Sequence, residues 1–177
     1  MRLRLFGLLL VAGACTWLAA AVSTASAEKT LLTAPAPSRP AKIHAEPCPL
    51  PRRFRPAFER AASDTGLPLA LLVSVARVES NLRARARSHA GARGLLQVMP
   101  TTARELVLDP NRPPSNVLAG ARYLALMLDR FHSTDLALAA YNAGPTAVAR
   151  AGGAPSAETL TYVANVTRLW RRVNGCA

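Results

Sequence analysis

The sequence predicts a mainly α-helical domain with a glycine-rich loop or minimal β element set among its helices. Three observations point there. From Arg52 onward, apolar residues recur at intervals of three and four, the period of one helix face. Sustained apolar/polar alternation, the mark of a half-buried strand, is absent. Turn-forming residues, Gly66 and Gly144-Pro145 among them, punctuate the periodic runs.

FRPAFERAASDTG (54–66) reads as a first helix stopped by Gly66, and Pro68 opens a second, PLALLVSVARVES (68–80). RARARSHAGARGLLQVMP (83–100) breaks the period, with Gly91 and Gly94 marking a loop or short strand-like turn. TTARELV is expected as a short helix capped by Thr101. Ser115 is expected to cap a long one, NVLAGARYLALMLDRFH, whose Val117, Ala121, Leu124, Leu128 and Phe131 form a core-facing stripe. DLALAAYNAG gives another helix, ended by Gly144-Pro145. SAETLTYVANVTRLWRRV gives the last, with Ser156 as its cap.

Ahead of this region stand two segments of different composition. Residues 1–27 combine a basic start (Arg2, Arg4), an apolar stretch and an Ala25-Ser26-Ala27 cleavage pattern, and read as a secretory signal peptide. The apolar run is short for a membrane span, so no stable membrane insertion is expected after cleavage. Residues 28–52 are rich in proline and alanine without an apolar period, and read as an extended tether. Residues 53–177 form the expected folded domain of an exported chain. Cys48 and Cys176 remain after cleavage. In an exported protein such a pair suggests a disulfide clamping the two ends, with two free thiols as the alternative.

The chain has 22 Lys+Arg against 10 Asp+Glu. Only Arg2 and Arg4 leave with the signal, so the exported part carries about +10. Such a surface is drawn to polyanions, and export favours an anionic cell wall over nucleic acid.

The stretch VARVESNL (75–82) raises the chemical question. On a helix, Glu79 lies four residues after Val75, three after Ala76 and seven after Leu72, so it projects from the apolar stripe. A carboxyl there is costly unless it is paired or kept neutral. Either Glu79 has a structural partner, or it is a general acid of the kind that cleaves glycosidic bonds. Glu105, Asp109, Asp129, Asp135 and Glu158 follow it, and none is an evident second carboxylate. Ser80 either bonds the neighbouring carboxyl or ends the helix. His44, His89 and His132 lack ligand spacing, so no metal site is expected, and no G-x-S-x-G elbow supports a serine hydrolase.

ES at 79–80, GLLQVMP at 94–100, N-x-x-x-G-x-x-YL from Asn116 to Leu124, ALAAYNAGP at 137–145 and ETLTYV at 158–163 occur in that order. Together they resemble the soluble-lytic-transglycosylase (SLT) catalytic domain from about Leu67 to Val163. The resemblance implies a lysozyme-like helical fold with the glycine-rich loop beside an active-site cleft. It implies that Glu79 is the single catalytic acid/base, with Ser80 as its polar neighbour. Gln97 and Met99 would line the sugar cleft with the Gly94–Met99 backbone. Tyr141 would face the acid with Asn142 beside it, and Glu158 and Tyr162 would sit near the far wall. The implied reaction is non-hydrolytic cleavage of the MurNAc–GlcNAc bond of peptidoglycan to 1,6-anhydro ends, without metal or organic cofactor. A hydrolytic muramidase on the same fold is the alternative. Short proteins of this type also accompany secretion or conjugation machines, which would make such an apparatus a partner of an otherwise monomeric enzyme. Two departures stand out: Leu96 where the family commonly has Met, and the arginine-rich RARARSH.

Overall fold

The run LALLVSVA offers no polar face, and the helix it forms is covered on nearly every side. In the computed structural model, which describes residues 48–173 and Cys176, this helix is α2 (Leu69–Ser80). Ala70 through Ala76 are all buried in it. The other described helices are α1 (Arg55–Thr65), α3 (Pro100–Glu105), α4 (Pro113–Phe131), α5 (Thr134–Ala143), α6 (Pro145–Ala151) and α7 (Ala157–Arg172). α2 packs on α1 and α7, α4 lies between α1 and α5, and α5 touches α6 and α7. Ala137, Ala139 and Ala140 are buried in α5, and their small side chains let neighbouring backbones approach closely. The arrangement is mainly α, as expected. Its only bridges among the described residues are Arg87 with Arg93 and Arg93 with Val98, both antiparallel. The glycine-rich loop is thus the minimal β element. The expected signal peptide, residues 1–27, and residues 28–47 of the expected tether lie outside the described residues.

How α2 ends decides where its acid sits. Asn81 and Leu82 both take left-handed backbone, at φ +52° and +59°. The Asn81 N–H donates to Arg77 O (3.1 Å) and the Leu82 N–H to Ala76 O (3.3 Å), closing the last carbonyls. Left-handed leucine costs about 1–2 kcal/mol. Burying the Leu82 side chain returns a comparable amount, about 1.5–3 kcal/mol. The helix therefore stops immediately after Glu79-Ser80 and leaves the acid in its final turn.

Two helix starts differ from the sequence expectation. Thr101 and Ser115 are not caps but lie inside the first turns, behind Pro100 and Pro113-Pro114. Proline is favoured there because the first N–H groups have no helical acceptor to lose. The Ser115 hydroxyl instead accepts from the Asp109 N–H (2.9 Å) and holds the preceding turn. Ser156 caps α7 as expected, accepting from Thr159 N. After Gly144-Pro145 the chain forms α6, which periodicity alone did not indicate. Pro145 starts it by the same preference that places prolines in the other first turns.

On the surface Arg122 of α4 grips Asp64 of α1 with two parallel bonds of 2.9 Å. Cys48 and Cys176 form the expected disulfide, their Cα atoms 4.7 Å apart. Both cysteines and Leu50 are buried in the core, so packing extends into the last residues of the segment expected as tether. The bridge closes a loop across 128 positions, and on the chain-entropy model such a closure stabilises by about 4–5 kcal/mol. Cys48→Ser with Cys176→Ser should lower the urea unfolding free energy by roughly 2–5 kcal/mol, and reductant should reproduce the loss in the wild type.

Candidate active site

Glu79 is half-buried, and its carboxylate makes one hydrogen bond among the described residues: the Tyr162 hydroxyl donates to Oε1 at 2.7 Å. Among the described residues no arginine pairs with it; the ion pairs there are Arg55–Glu59 and Arg122–Asp64. Burial among apolar neighbours raises its pKa to about 7, and the Tyr162 bond offsets only part of that rise. Because Oε1 accepts from Tyr162, the proton of the neutral acid belongs on Oε2, the oxygen free to deliver it. A group poised near neutrality suits both giving and taking a proton.

Facing α2 runs the segment 93–98, and three helices hold its backbone. From α2, the buried Ser80 hydroxyl lies 2.8 Å from Leu95 O, with Ala76 O as second acceptor at 3.1 Å. From α4, the fully buried Asn116 accepts from the Leu96 N–H (2.9 Å) and donates to Arg93 O (2.7 Å) and Pro110 O (3.1 Å). From α5, the Tyr141 hydroxyl donates to Leu96 O at 2.7 Å. Two glycines make room. A Cβ on Gly94 would meet the Asn116 amide at 2.6 Å. One on Gly120, a turn beyond Asn116, would meet the Leu96 side chain at 2.5 Å and the Tyr141 hydroxyl at 2.9 Å.

The residues picked from the sequence therefore gather in one region but divide the work in a particular way. Ser80 neither bonds Glu79 nor merely ends its helix; it ties that helix to the loop. Tyr141 is close enough that burial, then the Glu79 charge, raises its pKa. Its hydroxyl is nonetheless committed to Leu96 O, and its ring leans on Tyr123, 5.4 Å between centroids. The side chain in contact with the acid is Tyr162, which the resemblance had set near the far wall. Gln97 adopts φ +43°, and its Nε2 donates to Gly94 O (2.9 Å) and Ala86 O (3.2 Å), so its amide braces the loop. Met99 is exposed just past the loop. Asn142 and Glu158 line a hollow of about 430 Å³ with Val78, Thr161, Tyr162 and Asn165, next to the acid. Among the described residues, no group of three or more His, Cys, Asp or Glu side chains has metal-site geometry.

Asn116 and Gly120 were not singled out from the sequence as site residues. A signal was present, because an amide and a glycine four apart share one helix face with the apolar Leu124. Replacing Asn116 by Ala strands the Leu96 N–H and Pro110 O, while Arg93 O keeps the Val98 N–H, and should cost about 2–4 kcal/mol by urea unfolding, with activity lost in step. For Glu79 the pH sign is opposite to that of an ordinary paired carboxylate. Its folded pKa, about 7, lies above the free value of 4.5. The stabilisation is thus complete below 4.5 and lost as pH rises through 7. Glu79→Gln should match the wild type near pH 4 and exceed it by up to about 3 kcal/mol at pH 8.

Comparison with known proteins agrees with this geometry. Membrane-bound lytic murein transglycosylase F 2 of Alkalilimnicola ehrlichii is 38% identical over 100 residues, covering 52% of this chain and 22% of the relative. The soluble lytic murein transglycosylase of Escherichia coli K12 is 31% identical over 142 residues, covering 66% and 22%. Among solved structures, an inactive mutant of the lytic transglycosylase Slt from Pseudomonas aeruginosa aligns with a TM-score of 0.60 at 30% identity, over 70% of this chain and 25% of that one. The chain spans about a quarter or less of the length of these relatives. The family described as Transglycosylase SLT domain matches residues 56–161, and this chain belongs to that family.

Proposed function

We propose that this protein is a peptidoglycan lytic transglycosylase in which Glu79 is acid and then base. The observation that carries the reading is a carboxyl with a pKa near 7, bonded only to Tyr162 among the described residues and set beside an open hollow. Neutral Glu79 donates its Oε2 proton to the oxygen between MurNAc and GlcNAc as the bond from that oxygen to the muramyl C1 breaks. The N-acetyl carbonyl oxygen of the same sugar stabilises the cationic C1. Glu79, now a carboxylate with Tyr162 donating to it, accepts the proton of the C6 hydroxyl while O6 bonds to C1. The acid is restored, no water is consumed, and the product ends in a 1,6-anhydro sugar. The basic exported chain and the signal-like residues 1–27 support placing this reaction in the periplasm.

A hydrolytic muramidase is the second reading, favoured by Glu158, whose carboxylate lines the hollow together with Val78 and Tyr162, the neighbours of Glu79. Purified domain acting on sacculi separates the two. Mass spectrometry should find anhydro ends, whereas reducing ends one water heavier would establish hydrolysis. Glu79→Gln should cut turnover at least a hundredfold with the fold intact, and full activity in that variant would refute the role. Glu158→Gln should raise KM and leave kcat within a few-fold. A collapse of kcat would instead make it the second carboxylate.

A further inference from the structure

The segment whose arginines depart from the family pattern builds a second recess. Arg85, Arg87 and Arg93 line a polar hollow of about 280 Å³ together with Gly94, Pro110 and Asn111. Arg87 and Arg93 are bridge partners, and like charges set directly opposite repel. Neither they nor Arg85 form an ion pair among the described residues. Arg93 donates to Asn111 Oδ1 at 3.1 Å, which orients its guanidinium. Asp109 feels the Arg93 charge, but its Oδ1 already accepts from the Asn111 N–H and Nδ2, both at 2.9 Å. Three guanidiniums are thus gathered at a local cost, and among the described residues no carboxylate pairs with Arg85 or Arg87.

The recess shares its wall with the active site. Ala86 and Gly94 line it, and the Gln97 amide bonds both of their carbonyls. The residue after Gly94, Leu95, is the one held by Ser80 beside the acid. We infer that Arg85, Arg87 and Arg93 form a subsite for a carboxylate on the peptide stem of the glycan strand. The guanidinium fork matches a carboxylate in two parallel bonds. An extended stem of about four residues reaches roughly 13 Å from its sugar, enough to leave the cleft and follow the loop. The inference rests on peptidoglycan as the substrate. It predicts that peptide-bearing strands are preferred to bare glycan.

Arg85→Ala with Arg87→Ala tests it, since both side chains are exposed. The ratio of kcat/KM on peptide-bearing strands to that on amidase-stripped strands should fall about tenfold. The melting temperature should hold or rise, because removing Arg87 relieves the repulsion with Arg93. An unchanged ratio, or a fall in melting temperature, would overturn the subsite. So would an unchanged ratio with lost binding to phosphatidylglycerol vesicles, which would assign the arginines to a lipid surface. Sedimentation of the Glu79→Gln protein, with and without the two arginines, on peptide-bearing and stripped strands reads the same preference without turnover. It should show the arginine-dependent preference, and equal binding to both strands would sink the subsite even if the transglycosylase reading stands. Absent anhydro product from either substrate would instead sink that reading alone.

Discussion

The backbone from Arg93 to Val98 is the piece on which the site depends. A loop packed against a helical core must find partners for its polar groups, since a buried unpaired N–H or C=O costs about 1–3 kcal/mol. Here they come from side chains of three helices: Ser80 on Leu95 O, Asn116 on Leu96 N and Arg93 O, and Tyr141 on Leu96 O. Each bond fixes the loop, and each also fixes the helix that supplies it. Because Ser80 follows Glu79 directly, loop placement and acid placement are one constraint. Gly94 and Gly120 belong to it as well, since a side chain at either would separate loop from helix.

The acid occupies a position that stability alone would not select. α2 is the most buried helix, and a carboxylate at its rim is destabilised above neutral pH by the same apolar surroundings that hold the domain together. Among the described residues no arginine compensates in the usual way; the partner is a phenol. A phenol stabilises the carboxylate by a hydrogen bond without neutralising it, so the pKa stays near 7 instead of dropping as it would beside a cation. Fold stability elsewhere carries the burden, in the buried apolar core and the Cys48–Cys176 closure.

What was legible in the sequence follows from whether the determining interaction is local. Glu79 stood out because three- and four-residue spacing places it on an apolar face, a property of one helix. The helices other than α6, and the pair of cysteines at the ends of the domain, were legible for the same kind of reason. Tyr162 was named but not its role, because its contact with Glu79 spans 83 positions and no periodicity measures distance across a fold. Asn116 is similar: its three partners lie between six and 23 residues away. Thr101 and Ser115 misled because a hydroxyl near a helix start has two uses, and the prolines before them had already taken the first turn.

The extent of the shared segment fits this division of labour. The family match ends at residue 161, one short of Tyr162, yet the acid, the loop and its three anchors all lie inside it. Glu79, Ser80, Gly94, Asn116, Gly120 and Tyr141 form a frame in which each member's neighbour is another member, so change at one position strains the rest. The arginines at 85, 87 and 93 decorate that frame without holding it, apart from the backbone of Arg93. The inner bonds fix where Glu79 and the loop sit, and the side chains of the three arginines lie outside those bonds.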